Sequence, residues 1–185
     1  MHLTSAGERQ ATDLAERMIG ARLDAIHTSP RERARRTAEV IATRTGAALE
    51  VVEALDEIDY GGWTGMTFEA LEGEPLWRRW NEARGSASPP NGESMVAAQA
   101  RIATHAAEIA HRRPGSRIAL VSHSDMVRAL IAHALGLSLD HLLRFDIDPA
   151  SVSRMEVGSW GARVSSLNET VDETVDGTEC RAAGE

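Results

Sequence analysis

The chain has 185 residues and a formal net charge of -8 at pH 7, and this length suits one domain with its own hydrophobic core. Hydrophobic residues make up 42% and charged residues 26% of it, proportions that exclude wholesale disorder. The acidic balance argues against a general nucleic-acid binder, which must neutralise phosphates with a basic face. No apolar run reaches the roughly 20 residues of a membrane span, and no signal peptide is recognisable. The sequence therefore predicts a cytoplasmic protein without a membrane partner.

The first part of the chain alternates between helix and strand patterns. The segment "TSAGERQATDLAERMIGA" has helical apolar spacing, and Ser5 with Glu8 forms a capping-box pattern at its start. "LDAIHTS" predicts a strand, and "SPRERARRTAEVIATRTG" predicts a helix with Ser29 as N-cap and Pro30 as first helical residue. "LEVVEAL" predicts the next strand.

The second part contains a long excursion before the alternation resumes. The stretch "EIDYGGWTGMTFEALEGEPLWRRWNEARGSASPPNGESM" carries Trp63, Trp77 and Trp80, and connections of this length usually form a lid or a binding wall. The helix pattern "MVAAQARIATHAAEIAHRRPG" follows, and its His105 and His111 lack the i,i+4 spacing of a metal pair. "RIALVS" predicts a buried strand that runs into the helix "DMVRALIAHALG", and "SVSRMEV" with "GARVSSL" predicts a closing pair of strands.

This alternation predicts an α/β fold, a three-layer sandwich with a mostly parallel central sheet flanked by helices. We expect the domain to cover residues 1–168. Residues 169–185 are acidic and contain few large apolar side chains, which predicts a disordered tail. This segment contains Cys180, the single cysteine of the sequence, so an intramolecular disulfide is excluded.

Two strand-to-helix corners, "HTSPRER" and "VSHSD", carry the chemical candidates. Ligands of parallel α/β sheets bind at the carboxyl ends of the strands, so both corners predict one site. His123 and the backbone N–H groups of Ser124 and Asp125 come from the second corner, and the first supplies Arg31, Arg33, Arg35 and Arg36. Guanidinium, imidazole and a helix N-terminus together suit a phosphate dianion.

Each candidate also has a purely structural interpretation. A histidine at the end of a buried strand is often only hydrogen-bonded in the core. Arginines on a helix usually form a solvated face, and we favour that interpretation for Arg31, Arg35 and Arg36. The carboxylates of "DEID" predict either a charged loop or a general acid whose pKa is set by burial.

Five segments in this order, "LTSAGERQA", "TSPRERARRTAE", "LDEIDYGGWTG", "PPNGES" and "LVSHSDMVRAL", resemble the successive motifs of the histidine phosphatase superfamily, the phosphoglycerate mutase-like family. The resemblance spans about residues 3–168. It implies that fold, and an activity that transfers a phosphoryl group from a small phosphorylated metabolite to a histidine and then to water or another hydroxyl, without metal or cofactor.

The resemblance also implies roles for particular residues. Arg33 of "SPRERA" is the arginine that clamps the phosphate, and Glu57 of "LDEIDYG" is the general acid and then the base. His123 of "VSHS" is the second, phosphate-stabilising histidine. Ser124 stands where the family commonly has glycine, and its backbone N–H remains a candidate phosphate donor. The expected catalytic residues are thus Glu57, His123 and Arg33, and the expected substrate-binding residues are Arg33, His123 and Ser124.

The main departure concerns the nucleophile. The family places it in an Arg-His-Gly motif that ends a first strand, upstream of the segment resembling "LTSAGERQA", and this sequence starts at that segment. His2 directly precedes the helix start and does not fit the role. We expect either a sequence lacking its first strand or a degenerate relative that binds phosphate esters without turnover. We favour the first, because an absent central strand leaves unpaired backbone groups in a fold only about 5–15 kcal/mol stable. Strand exchange in a homodimer is another way to cover the gap.

The sequence therefore predicts a phosphatase that hydrolyses a small-molecule phosphate monoester through a phosphohistidine. A catalytically inactive phosphate-ester-binding relative and a phosphomutase are the alternatives. A serine hydrolase built on Ser124 is disfavoured, because the nucleophile elbow needs small residues two before and two after the serine, and the latter position holds Met126.

Overall fold

The protein is seen here as a computed structural model, which describes residues 2–170. Helices and strands alternate along the chain as the sequence predicts. The helices are α1 Ser5–Met18, α2 Glu32–Thr45, α3 Phe68–Glu72, α4 Pro75–Glu82, α5 Met95–Arg112 and α6 Ser124–Leu135. The strands are β1 Ala25–Thr28, β2 Ala48–Val51, β3 Ile118–Val121, β4 Val152–Gly158 and β5 Gly161–Glu169.

The central sheet is parallel and has the strand order β2-β1-β3. Ala25 of β1 pairs with Ala48 of β2 and with Ile118 of β3, so the three strands end at the same level. Of the strands in residues 2–170, β3 hydrogen-bonds to β1 alone, and its residues are partly exposed. β4 and β5 form a separate antiparallel hairpin. The predicted α/β class with a largely parallel sheet is confirmed.

Apolar clusters pack on both faces of the sheet. Helices α1 and α2 cover one face, where the fully buried Ile26 of β1 packs with Leu14, Ala15, Ala38 and Ile41. Helices α5 and α6 cover the other face together with the excursion, in a larger cluster that includes Trp80, Ile102 and Met126. The helix-sheet-helix layers therefore follow from the buried faces of these helices.

Two helix starts differ from the predicted ones. The N-cap of α1 is Thr4, whose hydroxyl accepts from the N–H of Gly7, and Ser5 is the first helical residue. Helix α2 begins at Glu32 instead of Pro30. The N-cap is Arg31, and the Ser29 hydroxyl accepts from the Arg31 N–H while also contacting Asp56 and His123 of the candidate site. The predicted stop of α2 at Gly46 is confirmed, with this glycine in the left-handed conformation.

The excursion folds onto the larger cluster and forms a wall. Trp63 and Trp80 are buried, and Trp63 makes edge contacts with Trp77 and Trp80 at ring distances of 5.2 and 6.2 Å. Its two ends meet backbone to backbone. The N–H of Gly62 donates to the Pro90 carbonyl at 2.8 Å, which joins the "DYGGW" and "PPNGES" segments.

The last described strand extends to Glu169, one residue past the predicted boundary of the domain. Its carboxylate contacts Arg17 of α1 and Arg154 of β4, which ties the hairpin to the first helix. The predicted tail beyond residue 170 lies outside the described residues. Within residues 2–170, none of the helices combines the length and apolar character needed to cross a membrane.

Candidate active site

The three predicted catalytic side chains meet at the carboxyl ends of the strands. His123 is the N-cap of α6 and follows β3 by two residues, while Arg33 lies in the first turn of α2, which follows β1. Glu57 lies in the loop after β2 and the short 3-10 turn at residues 53–55. The alignment of the parallel strands brings these three separate segments together.

The geometry of this group is close. One Arg33 guanidinium nitrogen, Nη2, lies 3.0 Å from Glu57 Oε2 and 2.8 Å from His123 Nδ1. Glu57 Oε2 lies 3.5 Å from the same Nδ1 atom. The imidazole is buried, Glu57 is mostly buried, and Arg33 remains partly open to solvent. An acid, an imidazole and a cation therefore share one small volume, where the cation can stabilise the charge of a bound anion.

Burial sets the protonation states of the acid and the imidazole. Burial, and after it the negative charge of Asp125, raises the pKa of Glu57 to about 7, against the lowering effect of Arg33. Burial also lowers the pKa of His123 to about 4, and the positive charge of Arg33 acts in the same direction. Near neutral pH, Glu57 is therefore about half protonated while His123 is neutral, which fits a general acid beside an uncharged imidazole.

A second group of side chains, for which the sequence predicts no shared role, lies behind His123. Ser29 Oγ is 2.8 Å from His123 Nε2 and 3.2 Å from Asp56 Oδ1. Arg31 Nε donates to the same Asp56 oxygen at 2.7 Å, and so does the backbone N–H of Glu57. Burial alone would raise the pKa of Asp56, but the Arg31 and Glu57 hydrogen bonds lower it below its ordinary value.

Arg31 accordingly differs from its neighbours on α2. Arg35 and Arg36 are about half exposed, and Arg36 pairs with Glu8 of α1 at 2.9 Å, so their predicted place on a solvated face agrees with the structure. Arg31 has a similar exposure but belongs to the site through Asp56. The solvated-face interpretation is therefore incomplete for Arg31.

Asp125 is a buried carboxylate at the start of α6 that binds the excursion. Its Oδ2 accepts from the Tyr60 hydroxyl at 2.9 Å and from Arg84 Nη1 at 2.7 Å. Arg128 lies 3.4 Å from Oδ1, and the Arg84 guanidinium stacks over Trp80 at 5.3 Å from the ring. Burial and the Asp125 charge raise the pKa of Tyr60, which stays a donor to Asp125.

Arg101 of α5 fixes the loop that carries Glu57. It pairs in bidentate fashion with Glu93 of the "PPNGES" segment, at 2.8 and 3.0 Å. The same guanidinium donates to the carbonyls of Ala54 at 2.8 Å and Glu57 at 3.2 Å. A planar fork of five N–H donors can make such a set of bonds, whereas a lysine ammonium cannot.

Ser124 lies at the same rim, as the first residue of α6. Its hydroxyl donates to the Ile147 carbonyl at 3.2 Å. The first backbone N–H groups of a helix have no partner within the helix, and the first intrahelical bond here runs from Val127 to the His123 carbonyl. The Ser124 N–H therefore has no partner within the helix, and its role as a phosphate donor stays a prediction.

The described residues supply one imidazole to this site. His2 is 88% exposed and contacts Glu32 at the start of α2, so it stands outside the group formed by Arg33, Glu57 and His123. His27 and His105 pair with each other on the α5 side of the sheet. Within residues 2–170 no group of three or more His, Cys, Asp or Glu side chains is arranged to hold a metal ion.

Comparisons with known proteins agree with this architecture. The chain is 32% identical over 170 residues to phosphoserine phosphatase 1 of Hydrogenobacter thermophilus, covering 91% of this chain and 81% of that protein. It is 34% identical over 157 residues to a probable phosphoglycerate mutase of Klebsiella pneumoniae, covering 83% and 73% of the two chains. The solved structure of a mycobacterial glucosyl-3-phosphoglycerate phosphatase superposes with a TM-score of 0.82 at 25% identity, covering 91% and 87%.

The fold and the basic, imidazole-containing rim define a class of α/β proteins that bind phosphate esters at the carboxyl ends of a parallel sheet. The sequence profile described as histidine phosphatase superfamily (branch 1) matches residues 1–170. The chain belongs to the histidine phosphatase superfamily, as its motifs predict.

Proposed function

We propose that this chain binds the phosphoryl group of a small phosphate monoester between Arg33, His123 and the N-terminus of α6, and hydrolyses it through a phosphohistidine. The observation that carries the proposal is the contact of one Arg33 nitrogen with both Glu57 and His123. An entering phosphoryl oxygen can take over this donor, which leaves Glu57 next to the bond that breaks. The relatives of this chain include phosphatases for phosphoserine and glucosyl-3-phosphoglycerate. We therefore expect its ligand to be a small phosphorylated metabolite.

The proposed chemistry has two steps. In the first, a bond forms between phosphorus and a nitrogen of the family's nucleophilic histidine, an imidazole other than His123 that residues 2–170 do not bring to the site, while the bond to the leaving oxygen breaks and Glu57 gives its proton to that oxygen. In the second, a water loses a proton to the Glu57 carboxylate and its oxygen bonds to phosphorus while the phosphorus–nitrogen bond breaks, which returns the electron pair to the imidazole and releases inorganic phosphate. Arg33 and an N–H group of His123 stabilise the charge on the phosphoryl oxygens in both steps.

A second candidate function is binding of phosphate esters without turnover. One observation favours it: within residues 2–170, His123 is the imidazole in contact with Arg33 and Glu57, and no second one joins them. The family's chemistry uses one histidine as nucleophile and another as support. The two candidates share the anion site and differ only in the chemical step.

Incubating the purified 185-residue chain with an aryl phosphate labelled in its phosphoryl group distinguishes them. For the phosphatase we expect release of inorganic phosphate and an acid-labile label on the protein. Binding of inorganic phosphate with neither label nor release would establish the second candidate. Absence of phosphate binding would overturn both proposals.

A further inference from the structure

Ser29 lies between a carboxylate and the imidazole of the candidate site. Its hydroxyl oxygen contacts three groups: His123 Nε2 at 2.8 Å, Asp56 Oδ1 at 3.2 Å and the backbone nitrogen of Arg31 at 3.1 Å. Ser29 is fully buried and His123 is 6% exposed, so water does not compete for these bonds. The directions of the bonds therefore follow from the donors and acceptors alone.

The hydroxyl has one hydrogen, and its position is determined. The Arg31 N–H can only donate, so Ser29 Oγ accepts from it. An ionised Asp56 carboxylate can only accept, so the Ser29 O–H points to Asp56 Oδ1. Ser29 Oγ therefore presents a lone pair to His123 Nε2. This contact is a hydrogen bond only if Nε2 carries the ring proton.

The opposite side of the ring gives the same answer independently. Arg33 Nη2 lies 2.8 Å from His123 Nδ1, and a guanidinium nitrogen is a donor without acceptor capacity. Nδ1 is therefore the unprotonated nitrogen of the neutral ring. Two separate contacts, with Ser29 on one edge and Arg33 on the other, require the same tautomer.

We propose, on the basis of the proposed phosphate site, that Ser29 and Asp56 are positioning residues that hold neutral His123 in its Nε2–H tautomer and stabilise the imidazolium when Nδ1 takes up a proton. This deepens the role of His123. Its Nδ1 lone pair faces Arg33 and Glu57, so an anionic oxygen entering there gains a hydrogen bond only from a protonated Nδ1. The Asp56 charge, transmitted through the Ser29 hydroxyl, favours that protonated form.

The charged groups around the ring have opposing effects on protonation of His123, so the Asp56 charge can shift this equilibrium. Arg33 from α2, Arg101 from α5 and Arg31 from the β1–α2 corner disfavour an imidazolium, while Asp56 favours it and Glu57 approaches Nδ1 at 3.5 Å. Asp56 is the carboxylate whose link to His123 runs through a single buried hydroxyl. If Asp56 only held the loop in place, its bonds to Arg31 and Glu57 would be the same. The test must therefore measure the protonation of the His123 ring.

The test is long-range proton–nitrogen NMR of the imidazole nitrogens in chain labelled with ¹⁵N-histidine, recorded from pH 3 to 9. The His123 signals are assigned by their loss in His123→Asn. In the wild type we expect one protonated Nε2 and one unprotonated Nδ1 at neutral pH. Because Arg33 favours the same tautomer from the other edge of the ring, Ser29→Ala is made in the Arg33→Ala background. We expect Arg33→Ala to keep the Nε2–H tautomer through Ser29, and the double variant to show a mixture of tautomers. Ser122→Ala is the matched control, because its hydroxyl is adjacent in sequence but donates to the Leu55 carbonyl.

Asp56→Asn separates charge from shape. All three donors, from Ser29, Arg31 and Glu57, bond the single oxygen Oδ1, which the amide oxygen of asparagine can replace. We expect this variant to keep the Nε2–H tautomer and to titrate His123 at a lower pH than the wild type. A mixture of tautomers in Arg33→Ala, an unchanged tautomer in the double variant, or an unchanged His123 titration in Asp56→Asn would overturn the proposal.

Failure of the proposed function gives a different result. Inorganic phosphate added to the wild type should shift the His123 resonances toward the protonated form and raise the pH of its titration. If phosphate leaves these resonances unmoved, the phosphate site is wrong and the proposal about imidazolium stabilisation falls with it. The tautomer in the phosphate-free chain is measured separately, so the source of either failure is known. Retention of the His27 and His105 signals verifies that each variant is folded.

Discussion

Arg33 is the residue whose removal should most directly weaken anion binding. Arg33→Ala deletes the donor that Glu57 and His123 share. Charge-assisted hydrogen bonds are worth about 1.5–3 kcal/mol, so phosphate affinity should fall roughly 10- to 150-fold. Calorimetric titration with inorganic phosphate measures this. Arg35→Ala, on the same helix but solvent-facing, should retain the wild-type affinity; equal losses in the two variants would contradict the assigned site.

Glu57 should matter most when the leaving group is a poor one. In Glu57→Gln the departing oxygen lacks its proton donor, and general acid catalysis typically contributes about 10²- to 10⁴-fold. We expect a loss of this size with alkyl phosphates and a much smaller one with p-nitrophenyl phosphate, whose leaving group needs no proton. Comparing kcat/KM for the two substrate types checks the role, because this ratio reports the first step, in which the leaving group departs. A uniform loss of kcat/KM across substrates would contradict the role of Glu57 as the acid of that step.

The raised pKa of Glu57 also makes a prediction about stability that needs no turnover. Its pKa rises from 4.5 to about 7 on folding. The contribution of Glu57 to the free energy of unfolding is therefore fully present below pH 4.5 and is lost as the pH rises through 7. Glu57→Gln keeps a neutral group at every pH. The variant should match the wild type at pH 4.5 and exceed its free energy of unfolding by on the order of 1–3 kcal/mol at pH 8.5. Urea unfolding at the two pH values measures the difference, and a variant less stable at pH 8.5 would contradict it.

At the scale of elements, two loops depend on a close backbone approach. A Cβ on Gly61, which has a φ of +50°, would lie 2.2 Å from the Pro90 carbonyl oxygen. Gly65 has a φ of +82° with nothing within 4 Å of such a Cβ. Both alanine variants incur left-handed strain of about 1–2 kcal/mol. Gly61→Ala should cost more than about 3 kcal/mol because the "PPNGES" loop must also move.

Gly65→Ala is thus the control for backbone strain alone. The urea midpoints of the two variants give the comparison. Similar midpoints would mean that the loops separate without cost, and that the junction of the excursion's ends does not stabilise the wall. A selective loss in Gly61→Ala should also weaken the bidentate contact of Glu93 with Arg101, because the same loop carries Glu93.

The elements themselves were largely predictable, because apolar spacing marks each helix and strand and the motifs fix their order. Arg33, Glu57 and His123 followed from the family resemblance. Ser29 was misassigned as a helix cap, since a serine before proline has the same local signature whether its hydroxyl caps the helix or bonds a distant imidazole. Asp56 bonds Ser29 and Arg31, and Arg101 bonds the carbonyls of Ala54 and Glu57, all more than 20 positions away in the sequence, so these contacts exist only in the folded chain.

At the scale of the whole molecule, a histidine pair joins the sheet to the α5 layer. His27 Nδ1 lies 3.0 Å from His105 Nε2, and burial lowers the pKa of both, opposed by Glu50 at His27 and by Glu108 at His105. A lowered pKa means that this contribution to stability is fully present above about 6.5 and is lost as the pH falls.

Lowering the pH from 7.5 to 5 should therefore reduce the contribution of this pair to the melting temperature, while protonation of Glu57 acts in the opposite direction. Compared with the wild type, His105→Gln should lose less melting temperature at pH 5 relative to pH 7.5, because one of the two protonations that oppose folding is gone. His111→Gln, on the exposed side of the same helix, is the control and should keep the wild-type change in melting temperature. Arg112 and Arg113 also face this pair and act against its protonation. Equal changes in all three proteins would show that the pair does not couple proton uptake to unfolding.

The Asp125 carboxylate has one further consequence. It anchors Tyr60 and Arg84 of the wall, and its charge is also the second cause of the raised pKa of Glu57. The wall and the acid therefore share one electrostatic source. A ligand that pulled Tyr60 or Arg84 away from Asp125 would leave its charge less compensated and strengthen the hold of Glu57 on its proton. A ligand that binds against the aromatic wall would therefore change the pKa of Glu57, the acid next to the reacting bond, without contacting Glu57 itself.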